Sequence, residues 1–192
     1  MPTDAKSVPP NCQFEIDDAE DEWLFSKKFD YIHGRALISC FKDPPSVIKS
    51  AYNALAPGGW LELQDFYFPM AYIDAEKPTE SALYQWNQMC LEGSAKGGRP
   101  WIHPEFYKRY LEEAGFVDVV ERRFYWPIGT WAKGKYYQTL GKCCQEVALT
   151  GLEAISLRVM GALGWNVDEI RVFLARVRED MKNPALHAYM NM

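Results

Sequence analysis

The sequence predicts an α/β fold organised around one βαβ unit between Phe29 and Phe68. Three observations carry this. Asp43 is a good N-cap, and Pro44 suits the first helical turn, where its missing N–H would be unpaired anyway. Val47, Ile48, Ala51, Tyr52 and Leu55 then recur on one helical face. Pro57-Gly58-Gly59 stops that helix, and short apolar strands flank it, Phe29–His33 before and Trp60–Gln64 after. Strand, crossover helix and strand predict two parallel strands joined by a right-handed connection.

The other elements follow in order. Residues 1–11 are polar and contain prolines, which predicts a loose tail. Cys12–Ile16 predicts a short strand, and the acidic run Asp17–Glu22 a loop. The strand of Tyr31, Ile32 and His33 runs out at Gly34-Arg35. Phe66–Pro78 is an aromatic-rich loop. Thr79–Ala95 reads as a helix with Leu83, Trp86 and Cys90 on one face. Lys96–Trp101 is a turn-rich connector; it neither follows a strand nor ends in G-K-[ST], so it is not a phosphate loop. Pro104 opens a helix that turns Phe106, Tyr107, Tyr110, Leu111 and Ala114 inward and stops at Gly115. A strand is expected over Phe116–Trp126, closed by Pro127. Lys135–Ala148 and Leu152–Ala162 predict two helices broken at Thr150-Gly151. Asn166 and Glu169 form a capping-box pattern, Trp165 and Ile170 a hydrophobic staple, and Ile170, Phe173, Leu174, Val177 and Met181 an apolar stripe.

Composition narrows the function. A chain of 192 residues can bury a sizeable core as one domain. With 15% aromatic residues and seven tryptophans, it favours an apolar small-molecule site over a disordered regulator. The net charge of −5 argues against nucleic acid as a partner; Lys27-Lys28 and Arg122-Arg123 read as solvated charges. No apolar run approaches the roughly 20 residues of a membrane span, and the first residues lack the apolar core of a signal peptide. Five cysteines without a C-x-x-C pair point to a reduced, cytoplasmic protein, with the nucleus left open. No histidine stands near Cys143-Cys144, so no metal site is expected there.

Two stretches carry a family resemblance: Phe29-Asp30-Tyr31-Ile32-His33 followed by a helix and Leu55-Ala56-Pro57-Gly58-Gly59-Trp60-Leu61-Glu62-Leu63-Gln64-Asp65, and upstream Phe14-Glu15-Ile16-Asp17-Asp18-Ala19-Glu20-Asp21-Glu22-Trp23. In order and spacing they resemble the third to fifth strands of Rossmann-like S-adenosylmethionine-dependent methyltransferases, and most closely the fungal subgroup associated with secondary metabolism. The likeness runs roughly from Pro9 to Tyr189. It implies an incomplete Rossmann-like sheet, the family's third to sixth strands, in one domain over residues 12–192 with a helical cap over 134–192. No G-x-G-x-G occurs, and a further βαβ unit needs roughly 30 residues. The expectation is therefore a methyltransferase core cut at both ends, lacking the glycine-rich loop, the ribose carboxylate and the last strand.

By this resemblance Asp18 with Ala19 would meet the adenine amino group; a solvated loop is the plain alternative. His33 and Arg35, at a strand's carboxyl end, would face the cofactor, unless His33 is a satisfied buried histidine and Arg35 pairs with the acidic loop. Gln64 lies at the next strand's end. With Tyr67, Tyr72, Trp86, Trp101, Trp126 and Trp131 it is expected to wall a pocket for a flat acceptor, or else these rings are separate core contacts. His33, His103 and Glu62 are the candidate bases.

The implied activity is methyl transfer from S-adenosylmethionine to a small, aromatic fungal metabolite, with weak cofactor binding by this chain alone. The alternatives are a non-catalytic accessory protein that kept the acceptor pocket, and a product with little function. Exposed strand edges predict self-association or a partner subunit.

Overall fold

The computed structural model describes residues 9–74 and 78–192. Residues 1–8 of the expected tail lie outside the described residues, and residues 9–17 are exposed. The fold is α/β, as predicted, and its centre is the expected unit: β1 (Phe29–Arg35), α1 (Pro44–Ala54) and β2 (Leu55–Gln64). β1 and β2 pair in parallel, with Tyr31 opposite Trp60, His33 opposite Glu62 and Arg35 opposite Gln64. Asp43 caps α1 through the Ser46 N–H. The second strand starts earlier than the Pro-Gly-Gly signal suggests. Leu55 is already extended and pairs with Phe29, and an irregularity in register follows before Tyr31.

Inward-facing residues of this sheet pack on α1 and on α3 (Tyr107–Ala114). Ile48, Tyr110 and Ala114 form the centre of that small core, with Leu61 and Leu63 against it. Gly115 ends α3 with a φ of 109°, a left-handed conformation that suits glycine.

A larger core lies beyond β2. The chain continues into β3 (Tyr67–Tyr72) and α2 (Ala82–Lys96), and after α3 into β4 (Tyr125–Pro127), α4 (Lys135–Ala162), α5 (Val167–Lys182) and β5 (Ala188–Asn191). β5 lies between β3 and β4, antiparallel to both. The helical segment thus returns its end to a sheet through β5. Leu83, Leu152, Met160, Ile170, Leu174 and Val177 are fully buried where α2, α4 and α5 meet this sheet. The capping box of Asn166 and Glu169 is formed, and Trp165 packs at a tilt against Phe173 with ring centres 5.7 Å apart.

Four predicted elements differ. The loop expected over Phe66–Pro78 holds β3 at Tyr67–Tyr72, because β5 pairs with it. Cys12–Ile16 is not a strand: among the described residues no strand pairs with it, and Phe14 and Ile16 stand in solvent. The strand expected over Phe116–Trp126 shrinks to Tyr125–Pro127, because only that end lies alongside β5; Val117, Val120 and Phe124 are exposed. The break at Thr150-Gly151 is absent. Thr150 returns its hydroxyl to the Glu146 carbonyl at 2.8 Å inside a continuous helix, and buried Leu152 anchors the next turn. Tertiary packing outweighs the roughly 1 kcal/mol that glycine costs a helix interior. No helix among the described residues is long and apolar enough to cross a membrane.

Candidate functional site

The carboxyl ends of β1 and β2 are locked together by Asp65. The chain turns after β1 at Ala36, whose φ is 55°, and the Ala36 N–H donates to the Gln64 carbonyl at 2.9 Å. Asp65 is buried one residue beyond β2. Its Oδ2 accepts from the Leu37 N–H at 2.9 Å and from the Tyr107 hydroxyl at 3.0 Å; its Oδ1 accepts from the Phe66 N–H at 2.9 Å. Burial pushes this carboxyl above the usual carboxylate range, against the pull of those donors. Burial also raises the Tyr107 phenol, as does the Asp65 charge, so Tyr107 stays a donor.

Beneath this turn lies a cavity of about 210 Å³ between the inner face of the sheet and α1. Ile32, Gly34, Leu61 and Leu63 form its floor and Val47, Ile48 and Ala51 one wall. Ala19 and Trp23 reach it from the acidic segment, and His33 stands at its edge. The lining is apolar, suited to a flat ring.

The acidic segment Asp17–Trp23 forms a strap. Asp18 is exposed, and among the described residues its Oδ1 accepts only from the Glu20 N–H within the strap, at 3.0 Å. The Trp23 indole N–H closes a small loop onto the Ala19 carbonyl at 3.0 Å. Glu20 Oε1 accepts from the Lys42 and Asp43 N–H groups at 2.7 and 3.1 Å, and its Oε2 lies 3.7 Å from the Arg99 guanidinium.

The opposite face of the sheet is open. Tyr31, His33 and Arg35 on β1 and Trp60 and Glu62 on β2 are exposed there, Trp60 to 70%. The Tyr31 hydroxyl and the Gln64 amide both donate to Glu62, and these donors, Tyr31 foremost, hold its carboxyl below the usual range. His33 stacks on Tyr31 with ring centres 6.2 Å apart. His103 is half-buried on the connector, with Nδ1 3.2 Å from the Tyr110 hydroxyl and a buried Nε2 that has no partner. Burial lowers its pKa, against the opposing charge of Asp43.

A family model described as a methyltransferase domain matches residues 3–121, well over half of the chain. The chain belongs to this methyltransferase family. Among curated relatives it is 32% identical over 176 residues to "Probable methyltransferase tdiE" of Emericella nidulans, a match covering 91% of this chain and 55% of the relative. It is 31% identical over 182 residues to "Methyltransferase pytC" of Aspergillus terreus, covering 94% and 56%. It is 26% identical over 192 residues to "Secondary metabolism regulator LAE1" of Cochliobolus heterostrophus, covering 97% and 62%. The chain spans about half the length of the curated relatives it matches first.

Within this methyltransferase domain, the structure brings Ala19 and His33 to one cavity and leaves Asp18 and Arg35 outside its lining. The strand end expected to present Asp18 is not formed. The six aromatic rings expected to wall one pocket line no part of this cavity. Trp86 is buried and donates to the Ser156 hydroxyl at 2.8 Å; Trp101 is buried edge-on against Phe68. Tyr72 meets the Asn87 amide, and burial pushes its phenol up to about 12. Trp126 packs on Phe66, Trp131 donates to the Ala188 carbonyl, and Tyr67 lies under Arg123. These rings are spent on the second sheet and its helices, whose core needs large apolar groups with partnered N–H and O–H tips.

Sequence reasoning missed Glu20, Trp23, Asp65 and Tyr107 as organising residues. Asp65 had a signal, a carboxylate at a strand's carboxyl end. Glu20 and Tyr107 had none, since their partners lie 22 and 42 residues away.

Proposed function

We propose that this methyltransferase domain holds the adenine ring of S-adenosylmethionine in the cavity under the Asp17–Trp23 strap, and that it serves methylation of a small aromatic metabolite in fungal secondary metabolism, in the cytoplasm. The observation that carries the reading is the cavity: an apolar slot at the carboxyl end of a parallel βαβ unit, where open α/β sheets bind ligands, inside the stretch that matches the methyltransferase family.

The residues fit the ring end of the cofactor. Ile32, Leu61 and Ile48 supply apolar faces, and the exposed Asp18 on the strap, whose Oδ1 takes the Glu20 N–H, offers its second oxygen to an exocyclic amino group. When bound, the cofactor supplies an electrophilic methyl group. This chain's own part is to bind the ring, exclude water and accept the acceptor's proton. Of the candidate bases, His33 borders the cavity, but its exposed ring is turned to the outer face and stacked on Tyr31, so it would have to swing round the strand end to take that proton. Glu62 is already engaged as an acceptor by Tyr31 and Gln64, and His103 sits under α3.

A non-catalytic accessory role is favoured by one observation, the burial of Trp86 and Trp101 in the second core, where neither is offered to an acceptor. Ultraviolet crosslinking of labelled S-adenosylmethionine to the purified chain, with peptide mapping, separates the readings. Label on the strap or on the Ile32–Phe41 segment, competed by adenosine, supports cofactor binding. Label elsewhere, or none at saturating cofactor, overturns it.

A further inference from the structure

Of the five carboxylates between Asp17 and Glu22, Glu20 alone contacts another segment among the described residues. We propose that Glu20 is a positioning residue: it fastens the strap to the N-terminus of α1, so that Ala19 and Trp23 close the cavity over a flat aromatic ring. The fastening is geometric and stands by itself; the identity of the ring as adenine rests on the proposed function.

The carboxylate joins three segments. One oxygen takes the N–H groups of Lys42 and Asp43, just outside α1. The Asp43 side chain takes the next one in, from Ser46 at 3.4 Å. Two acidic residues thus divide the unpaired donors of one helix start, one locally and one from 22 residues upstream. The second oxygen faces Arg99 on the connector before α3. Ala19 precedes Glu20 in the chain, and the Trp23 indole is bonded to the Ala19 carbonyl, so the two cavity-facing residues are held as one unit beside the anchor. Asp18 has no such tether, which leaves its carboxylate for a ligand.

The groups facing Glu20 set its response to pH. The Asp43 and Lys42 amides and Arg99 favour the ionised form, while burial and, less, Asp18 oppose it; the Asp43 amide contributes most and leaves the carboxyl below its usual range. A carboxyl lowered in the folded protein keeps its fastening above its ordinary value and loses it as pH falls through the lowered one.

The test is made on the full chain. Amide exchange at Lys42 and Asp43 and nuclear Overhauser contacts between the Trp23 indole and the methyl groups of Ile48 and Ala51 are compared in the unaltered protein, Glu20→Ala and Glu20→Gln. In Glu20→Ala the two amides exchange roughly tenfold faster or more, the indole contacts fade, and contacts within α1 persist. Glu20→Gln, which keeps an oxygen but loses the charge, falls between. Unchanged exchange, or indole contacts that survive Glu20→Ala, overturns the assignment. Adenosine titration of the same samples is read separately. If adenosine fails to bind the unaltered chain, the cofactor reading falls, and the indole contacts still decide the role of Glu20.

Discussion

The Tyr107 hydroxyl donates to the Asp65 carboxylate across 3.0 Å, tying α3 to the carboxyl end of β2. Leu37 donates to the same oxygen, so one buried atom sets both the turn after β1 and the docking of α3. Removing the hydroxyl with Tyr107→Phe leaves Asp65 its two backbone donors. Removing the carboxylate with Asp65→Ala strands the Leu37 and Phe66 N–H groups and the Tyr107 O–H together. A buried group left unsatisfied costs about 1–3 kcal/mol. Urea unfolding is therefore expected to show a loss of about 1–2 kcal/mol for Tyr107→Phe and about twice that for Asp65→Ala. Equal losses would mean that the carboxylate's other contacts carry nothing.

His103 gives a dependence on pH. Its pKa is lowered in the folded protein, chiefly by burial, so the unfolded chain binds a proton where the folded chain does not. Stability contributed by the neutral ring is present above the ordinary histidine value near 6.5. It is lost as pH falls through the lowered, folded value. His103→Gln is expected to flatten the fall in thermal midpoint across that window. An unchanged slope would place the acid sensitivity in other groups.

Gly93 marks where α2 and α4 touch backbone to backbone. A Cβ built there would lie 2.1 Å from the Val159 carbonyl oxygen, inside the larger core and with no flexible side chain to give way. Gly93→Ala would raise intrinsic helix propensity by roughly 1 kcal/mol, yet overpacking of a close-packed core costs typically about 1–3 kcal/mol. Net destabilisation, read as a lower urea midpoint with unchanged slope, is the expected outcome. Stabilisation would show that the two helices separate easily.

The βαβ unit was legible because its signals are local: an Asp-Pro start, a Pro-Gly-Gly stop and strands that alternate. The α5 cap was legible for the same reason, since Asn166 and Glu169 are three residues apart. What could not be read depends on partners distant in sequence. Cys12–Ile16 has strand composition, but a strand exists only where a neighbour accepts its hydrogen bonds. Val117–Arg123 fails likewise, and Tyr125–Pro127 succeeds because β5 arrives from more than 60 residues downstream. In the site, the strand-end rule pointed to the end of β1, where His33 borders the cavity, and the family resemblance pointed to Ala19, whereas the aromatic wall was not legible. A tryptophan's ring signals burial, and sequence does not say whether the space around it is a core or a pocket.

The open edge of β1 carries the last prediction. A parallel sheet normally has both faces covered and its strands paired on both sides. Here β1 is paired on one side only, by β2, among the described residues, and the outer face of the pair shows Tyr31 at 53% and Trp60 at 70% exposure. Natural edge strands are usually blunted by lysine, proline or a covering element. The run Tyr31-Ile32-His33-Gly34 has no lysine or proline. The chain is therefore expected to associate through this edge, with itself or with a strand of a partner. Light scattering on purified chain should show an average mass above 22.1 kDa that rises with concentration. Lysine placed on the same surface, as Tyr31→Lys with Trp60→Lys, should return it to the single-chain mass, because a strand added there would bury those charges. Surface substitutions of this kind usually change stability by no more than about 0.5 kcal/mol, so a shift in mass without a large shift in thermal midpoint isolates the edge. A single-chain mass for the unaltered protein at all concentrations would show that the edge is protected without a partner.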